Sequence, residues 1–222
     1  VLVTHTLKLA NQEQFTSLTQ QDFVDPPSTN FLDANGESYF ELSNKYRDNI
    51  SYDELSNSLI DAFVSAEDSR FFVHNGFDVP RFTMALINNV FDTLKTGKLS
   101  LGEGGSTFTM QLIKNTAFVK DGSSGEQTEE AKRGLGAIDR KLVEIFLSQK
   151  FEKEGVLSKK LILELYLNKV NFGVGNNTLG VEKSAQAYFG KSASELNTVE
   201  SAFMAAVINA PNAYSPYRNI TA

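Results

Sequence analysis

Two glutamates, Glu67 and Glu144, lie in short segments whose residue types suit acid/base chemistry, and a glycine-rich turn followed by a lysine falls between them. In chain order the segments are SAEDSRFFVHNGFD (65–78), GEGGSTFTMQLIKN (102–115), RKLVE (140–144) and LILELYLNKVNFG (161–173). A carboxylate partly withdrawn from water holds a proton more readily, which is what a general base requires. Glu67 follows an apolar helical run and precedes Phe71 and Phe72, a setting that suits the rim of a cleft. The plainer reading is a surface helical pair with Arg70.

In the second segment the glycines let backbone N–H groups approach a ligand, and Ser106 adds a hydroxyl. Thr107, Gln111 and Lys114 follow at i, i+4 and i+7, one face of a helix that would present an oxyanion site and then a cation. The same turn also reads as an ordinary helix start. Further on, Arg133, Arg140 and Glu144 fall within about 40° of one line at roughly 100° per residue, with Lys141 adjoining. Arg133 joins only if the helix runs unbroken through Gly134 and Gly136. A solvated, salt-bridged face is the alternative, although the cation precedes the glutamate, the poorer order for such a pair. Asp68, Arg133 and Asn168 are further candidates; Asn168 also reads as the end of a core helix and His74 as a packing residue. The set suggests acid/base sugar chemistry beside an anion.

These residues need elements to hold them. The DANGE run (33–37) between STNFL and SYFEL reads as a short hairpin with an Asn-Gly turn, and residues 1–49 as a stalk and small sheet leading into a main domain at 50–222. From Ser51, which forms a capping box with Glu54, a helix is expected to end near Glu67. A second runs from Asp78 as cap, through Pro80, to Gly97. Others are expected from about Thr107 to Val119, Glu130 to Glu154, Ser158 to Asn168, and up to Gly190. The last starts at Asn197 and Glu200 and ends at Pro211. The fold class is mainly α with a small N-terminal β-hairpin region.

At 222 residues, 41% hydrophobic, with 17 Phe and no Trp, the chain can bury one sizeable core. A net charge of -6 argues against a nucleic-acid partner, which needs a cationic footprint. The absence of cysteine removes disulfides, thiolate catalysis and thiolate zinc sites, and two isolated histidines make a histidine metal site a poor fit. No stretch is apolar for the length a bilayer crossing needs, yet VLVTHTLKLA starts abruptly, as a chain cut after an anchor would.

The four ordered segments resemble the motifs of the peptidoglycan glycosyltransferase (transglycosylase) domain of penicillin-binding proteins and monofunctional transglycosylases, glycosyltransferase family 51. EDSRFFVHNGFD is similar to the first motif, GGSTFTMQLIKN to the second, RKLVE to the third and LSKKLILELYLNKVNFG to the fourth. The likeness continues through LGVEKSAQAYFGKSASEL to NAPNAYSPYRN, covering roughly residues 50–219. It implies a lysozyme-like, mostly helical fold outside the bacterial cytoplasmic membrane. The implied reaction polymerises lipid II into β-1,4-linked glycan, with the lipid-linked chain as donor and lipid II as acceptor. By position Glu67 matches the general base for the acceptor's 4-hydroxyl and Glu144 the second essential glutamate. Lys114, Arg140 and Lys141 match the basic positions around the lipid pyrophosphate, beside Ser106, Thr107 and Gln111. A pyrophosphate leaving group needs cations more than it needs an acid, and one base opposite it implies inversion at the anomeric carbon. No cofactor is required; whether a divalent cation, Mg or Mn, assists at the pyrophosphate stays open.

Residues 82–101 match the family region that dips into the outer face of the membrane, although an ordinary core helix explains the pattern as well. Moenomycin-type inhibitors are implied ligands. Two departures stand out: Met110-Gln111 replaces the usual pair of glutamines, and the segment between Lys114 and Glu144 is longer than usual. Lys132 or Arg133 would replace a further family arginine, without a fixed position. A lysozyme-like hydrolase of finished peptidoglycan and a non-catalytic lipid II-binding scaffold are the competing functions.

Overall fold

The computed structural model describes residues 2–43, 45–96, 104–118, 136–175 and 178–216. In chain order the elements are α1 (Leu2–Ala10), α2 (Glu13–Thr16), a 3-10 turn (Gln20–Phe23), β1 (Thr29–Leu32), β2 (Ser38–Leu42) and a 3-10 turn (Tyr52–Glu54). Then follow α3 (Asn57–Glu67), α4 (Val79–Thr96), α5 (Phe108–Ala117), α6 (Ala137–Lys153) and α7 (Lys159–Lys169). The chain continues with α8 (Val181–Phe189), a 3-10 turn (Ala193–Glu195), α9 (Thr198–Val207) and α10 (Pro211–Tyr214). The mainly α class with a small N-terminal hairpin is as the sequence predicts.

The described residues form two compact units: one runs up to Phe23 and resumes over Glu67–Ile162, the other takes Val24–Ala66 and the chain from Leu163 onward. In the first unit α5 and α1 both pack on α6. Phe15 meets Phe118 with ring centroids 5.2 Å apart, Phe23 sits edge-on to Phe151 at 5.7 Å, and Phe71 edge-on to Phe108 at 5.1 Å. Edge-to-face rings gain from their quadrupoles beyond the area they bury. Residues 2–23 therefore supply helices and core aromatics, where the sequence suggests only a stalk. The core residues of this stretch, Ala10, Phe15 and Phe23, lie on three separate short elements.

In the second unit Phe63 of α3 packs edge-on against Tyr166 and Phe172, at 6.5 and 6.0 Å. The antiparallel hairpin β1–β2 pairs Phe31 with Phe40. Its turn is closed by Asp33, whose carboxylate accepts the main-chain N–H groups of Asn35 and Glu37, with Gly36 at φ 84°.

Three helix boundaries differ from the sequence reading. The Ser51–Glu54 capping box is present but serves one 3-10 turn; Leu55 is extended, and α3 starts afresh at Asn57 with the Ser56 hydroxyl accepting from the Leu59 N–H. The helix expected from Glu130 begins at Ala137, because Gly136 is extended at ψ 163°. Arg133 lies outside the described residues, as do Lys132 and the long segment around them. Pro211 does not end α9, which stops at Val207; it opens α10, where its missing N–H costs nothing.

Candidate active site

The first unit carries the acidic and basic residues singled out in the first three segments. Glu67 is the last residue of α3, half-buried, and its Oε2 accepts a hydrogen bond from Gln111 Nε2 of α5 at 3.2 Å. One turn along α5 stands Lys114, exposed. On α6, Glu144 is 2% exposed and lies between two cations, Arg140 Nε at 3.4 Å and Lys141 Nζ at 3.3 Å. Lys141 also donates to Ser106 Oγ in the glycine turn. Gln111 and Lys114 thus extend from one helix toward the two glutamates, and Ser106 ties the turn before that helix to α6.

Glu144 and Lys141 are electrostatically strained. Burial raises the Glu144 carboxyl above the ordinary carboxylate value, and Lys141, Arg140 and Lys114 pull it back down only in part. Burial likewise lowers the Lys141 amine below the ordinary lysine value; Glu144 opposes this, while Lys114 and Arg140 add to it. Lys114 acts on both groups, so the cations of α5 and α6 share one field. Glu144 Oε1 and Arg140 Nε are buried without a hydrogen-bond partner among the described residues. A cluster that holds partly buried cations close together at a cost is suited to meeting an anion.

Three other candidates hold structure. Thr107 is fully buried as the N-cap of α5: its hydroxyl accepts from the Met110 N–H and donates to the Gly76 carbonyl at 2.7 Å. Asp68, fully buried, accepts from the Phe108 N–H at 3.1 Å and pairs with His74 Nε2 at 3.0 Å, so it fixes the start of α5. Asn168 lies in the second unit, where its amide accepts from the Ile50 N–H and donates to the Ile50 carbonyl.

Gly76 makes the Thr107 contact feasible. Its φ is 81°, and a Cβ there would stand 2.3 Å from the Ser148 carbonyl oxygen of α6. Met110, where the resemblance expects a glutamine, is fully buried, so this position faces the core and an apolar side chain fits it.

The sequence reading missed Arg81. Its Nε donates to the Gly104 carbonyl at 2.8 Å, its NH1 donates to the Glu67 carbonyl, and NH1 stands 3.9 Å from Asp68 Oδ1. Also missed is Glu152, buried against Lys159 Nζ at 2.7 Å and accepting from the Thr109 hydroxyl. Among the described residues no group of three or more His, Asp or Glu is placed to hold a metal. None of their helices is long and apolar enough to cross a membrane. On α4, Val79, Met84, Leu86 and Ile87 are exposed, while residues 97–101 of the stretch expected to dip into the membrane lie outside the described residues.

Comparison with known proteins gives the family. The family model described as Transglycosylase matches residues 35–222. Penicillin-binding protein 1A of Clostridium botulinum is 38% identical over 193 residues, 87% of this chain and 21% of the relative. Penicillin-binding protein 1A of Aquifex aeolicus is 34% identical over 197 residues, 89% of this chain and 24% of the relative. Penicillin-binding protein 1A/1B of Bacillus subtilis is 32% identical over 204 residues, 91% of this chain and 20% of the relative. The chain therefore spans only about a fifth of the length of these relatives. With a family model covering most of its residues, the chain belongs to the transglycosylase family.

Proposed function

We propose that this chain is a peptidoglycan glycosyltransferase that joins lipid II units into β-1,4-linked glycan with inversion at the anomeric carbon and release of undecaprenyl pyrophosphate. The observation that carries the reading is the cluster of Lys114, Arg140 and Lys141 around the buried Glu144, next to a helix whose Gln111 holds Glu67.

In this reading Glu67 takes the proton from the 4-hydroxyl of the acceptor sugar as its oxygen attacks the donor's anomeric carbon. The bond from that carbon to the lipid pyrophosphate breaks on the opposite face, and the leaving group departs with the bonding electrons. Lys114, Arg140 and Lys141 neutralise the charge that grows there, so no acid has to protonate it. Glu144 holds Arg140 and Lys141 in place and keeps the cluster from repelling itself. A glycoside hydrolase cleaves an ether whose leaving oxygen needs a proton, and a cation cluster is poor equipment for that task.

The apolar residues exposed on α4, Val79, Met84, Leu86 and Ile87, support contact with the outer face of the bacterial cytoplasmic membrane, where a lipid-linked substrate resides. With a net charge of -6 that contact is mainly hydrophobic. Moenomycin-type phosphoglycolipids would occupy the same cationic site.

Incubation of the protein with labelled lipid II tests the reading. It predicts glycan chains that a muramidase cuts, together with free lipid pyrophosphate. Soluble fragments released from purified peptidoglycan, without polymer from lipid II, would assign a hydrolase instead.

A further inference from the structure

We infer that Arg81 is a positioning residue for this reaction, one that fixes the backbone of Glu67 to the glycine turn carrying Ser106; the inference rests on the function proposed above. The guanidinium spans two main-chain carbonyls: Nε donates to Gly104 at 2.8 Å and NH1 to Glu67. The Glu67 carbonyl belongs to the last turn of α3, where carbonyls lack helical partners and carry the negative end of the helix dipole, so a cation is doubly favoured there. Gly104 precedes Ser106, Thr107 and α5, the source of Gln111 and Lys114. One planar side chain therefore sets the separation between the end of α3 and the start of the turn.

Arg81 is itself held. Its own N–H is taken by Asp78 Oδ1 at 3.1 Å at the start of α4, and its NH1 lies 3.9 Å from the buried Asp68. Asp68 in turn accepts from the Phe108 N–H, the first of α5. The same small region thus fastens Glu67, α4 and α5 by groups that touch no reacting atom. A fork of fixed donors can serve two carbonyls at once, whereas the ammonium of a lysine is a single point of charge on a flexible stem.

If the tie sets where the Glu67 carboxylate stands, its loss lowers turnover and leaves binding of the donor's pyrophosphate to the Lys114, Arg140 and Lys141 cluster intact. Displacements of about 1 Å at a reacting group cost up to about 100-fold in rate.

The experiment measures kcat and KM for labelled lipid II polymerisation by wild type, Arg81→Ala and Arg81→Lys, with and without tens of millimolar guanidinium chloride. The expected result is a kcat about 10- to 100-fold lower for Arg81→Ala with KM little changed, partial recovery on adding guanidinium, and a smaller loss for Arg81→Lys that guanidinium does not repair. Guanidinium weakens folded proteins in general, so recovery by it separates a lost donor from lost stability. Wild-type kcat in Arg81→Ala, or a loss that guanidinium deepens, overturns the inference. If Arg81→Ala has no melting transition, Arg81→Lys decides: lowered kcat with the wild-type melting temperature supports the tie, and full kcat overturns it. A wild type that makes no polymer overturns the functional reading and this inference with it, whereas an active wild type beside a fully active Arg81→Ala overturns this inference alone.

Discussion

Gln111 of α5 donates its side-chain amide to Glu67 of α3 at 3.2 Å, and one turn further along the same helix stands Lys114, which shares the field of Glu144. One short helix thus carries the partner of Glu67 and a cation that helps hold the Glu144 carboxyl down. Replacing Gln111 by Ala frees the Glu67 carboxylate to rotate away from the attacking hydroxyl. We expect kcat for lipid II polymerisation to fall about tenfold with KM little changed, a split read from initial rates.

In the proposed reaction the cations meet the leaving group as its bond breaks. Arg140→Ala or Lys114→Ala should each lower kcat about 100-fold, the scale for removing one preorganised group that meets developing charge. Losing both should cost less than the product of the two, because they meet the same pyrophosphate. Equal turnover in either single variant, measured with labelled lipid II, would remove that group from the site.

Glu144 makes stability depend on pH. Its carboxyl is raised above 4.5 in the folded protein, so between 4.5 and the raised value the folded state binds the proton more tightly than the unfolded one. Stability therefore falls as pH rises through that window, and the loss is complete above the folded pKa. Lys141 works in the opposite direction: its amine is lowered below 10.5, so its cost is complete below the folded pKa and is relieved as pH rises through it toward 10.5. Glu144→Gln should flatten the acidic part of the profile. Denaturant midpoints of both proteins from pH 4 to 8 check this; a constant difference between them would contradict it.

Gly76 is predicted to be intolerant of a side chain. A Cβ at 2.3 Å from the Ser148 carbonyl oxygen cannot be accommodated without moving α6 or the Thr107 cap, and the φ of 81° adds strain. Gly76→Ala should cost about 3 kcal/mol or more, seen as a lower thermal midpoint, with activity lost in proportion to unfolding.

Much of this site can be read from the sequence because its residues declare themselves by charge and spacing. Glu67, Lys114, Arg140, Lys141 and Glu144 lie in segments whose order alone suggests the chemistry, and the structure carries them on one compact unit. What the sequence does not show shares a physical cause. Thr107 and Asp68 look like ligand groups but spend their oxygens on main-chain N–H groups of α5, a use no side-chain pattern reveals. Arg81 gives no signal in the sequence because its partners are carbonyls, which every residue has. The part of the start of the chain in the core is hard to read from sequence because its buried apolar residues, Ala10, Phe15 and Phe23, are spread over separate short elements. Gly136 broke an expected helix because an extended glycine cap has no signature distinct from a helical one.

The most direct test of the central claim is turnover of labelled lipid II by Glu67→Gln, compared with wild type at matched thermal midpoints. Glutamine keeps the shape and can still bond to Gln111 but accepts no proton. The account predicts that wild type makes glycan chains and that Glu67→Gln makes none while still binding the donor. Chains made at the wild-type rate by a folded Glu67→Gln would contradict it.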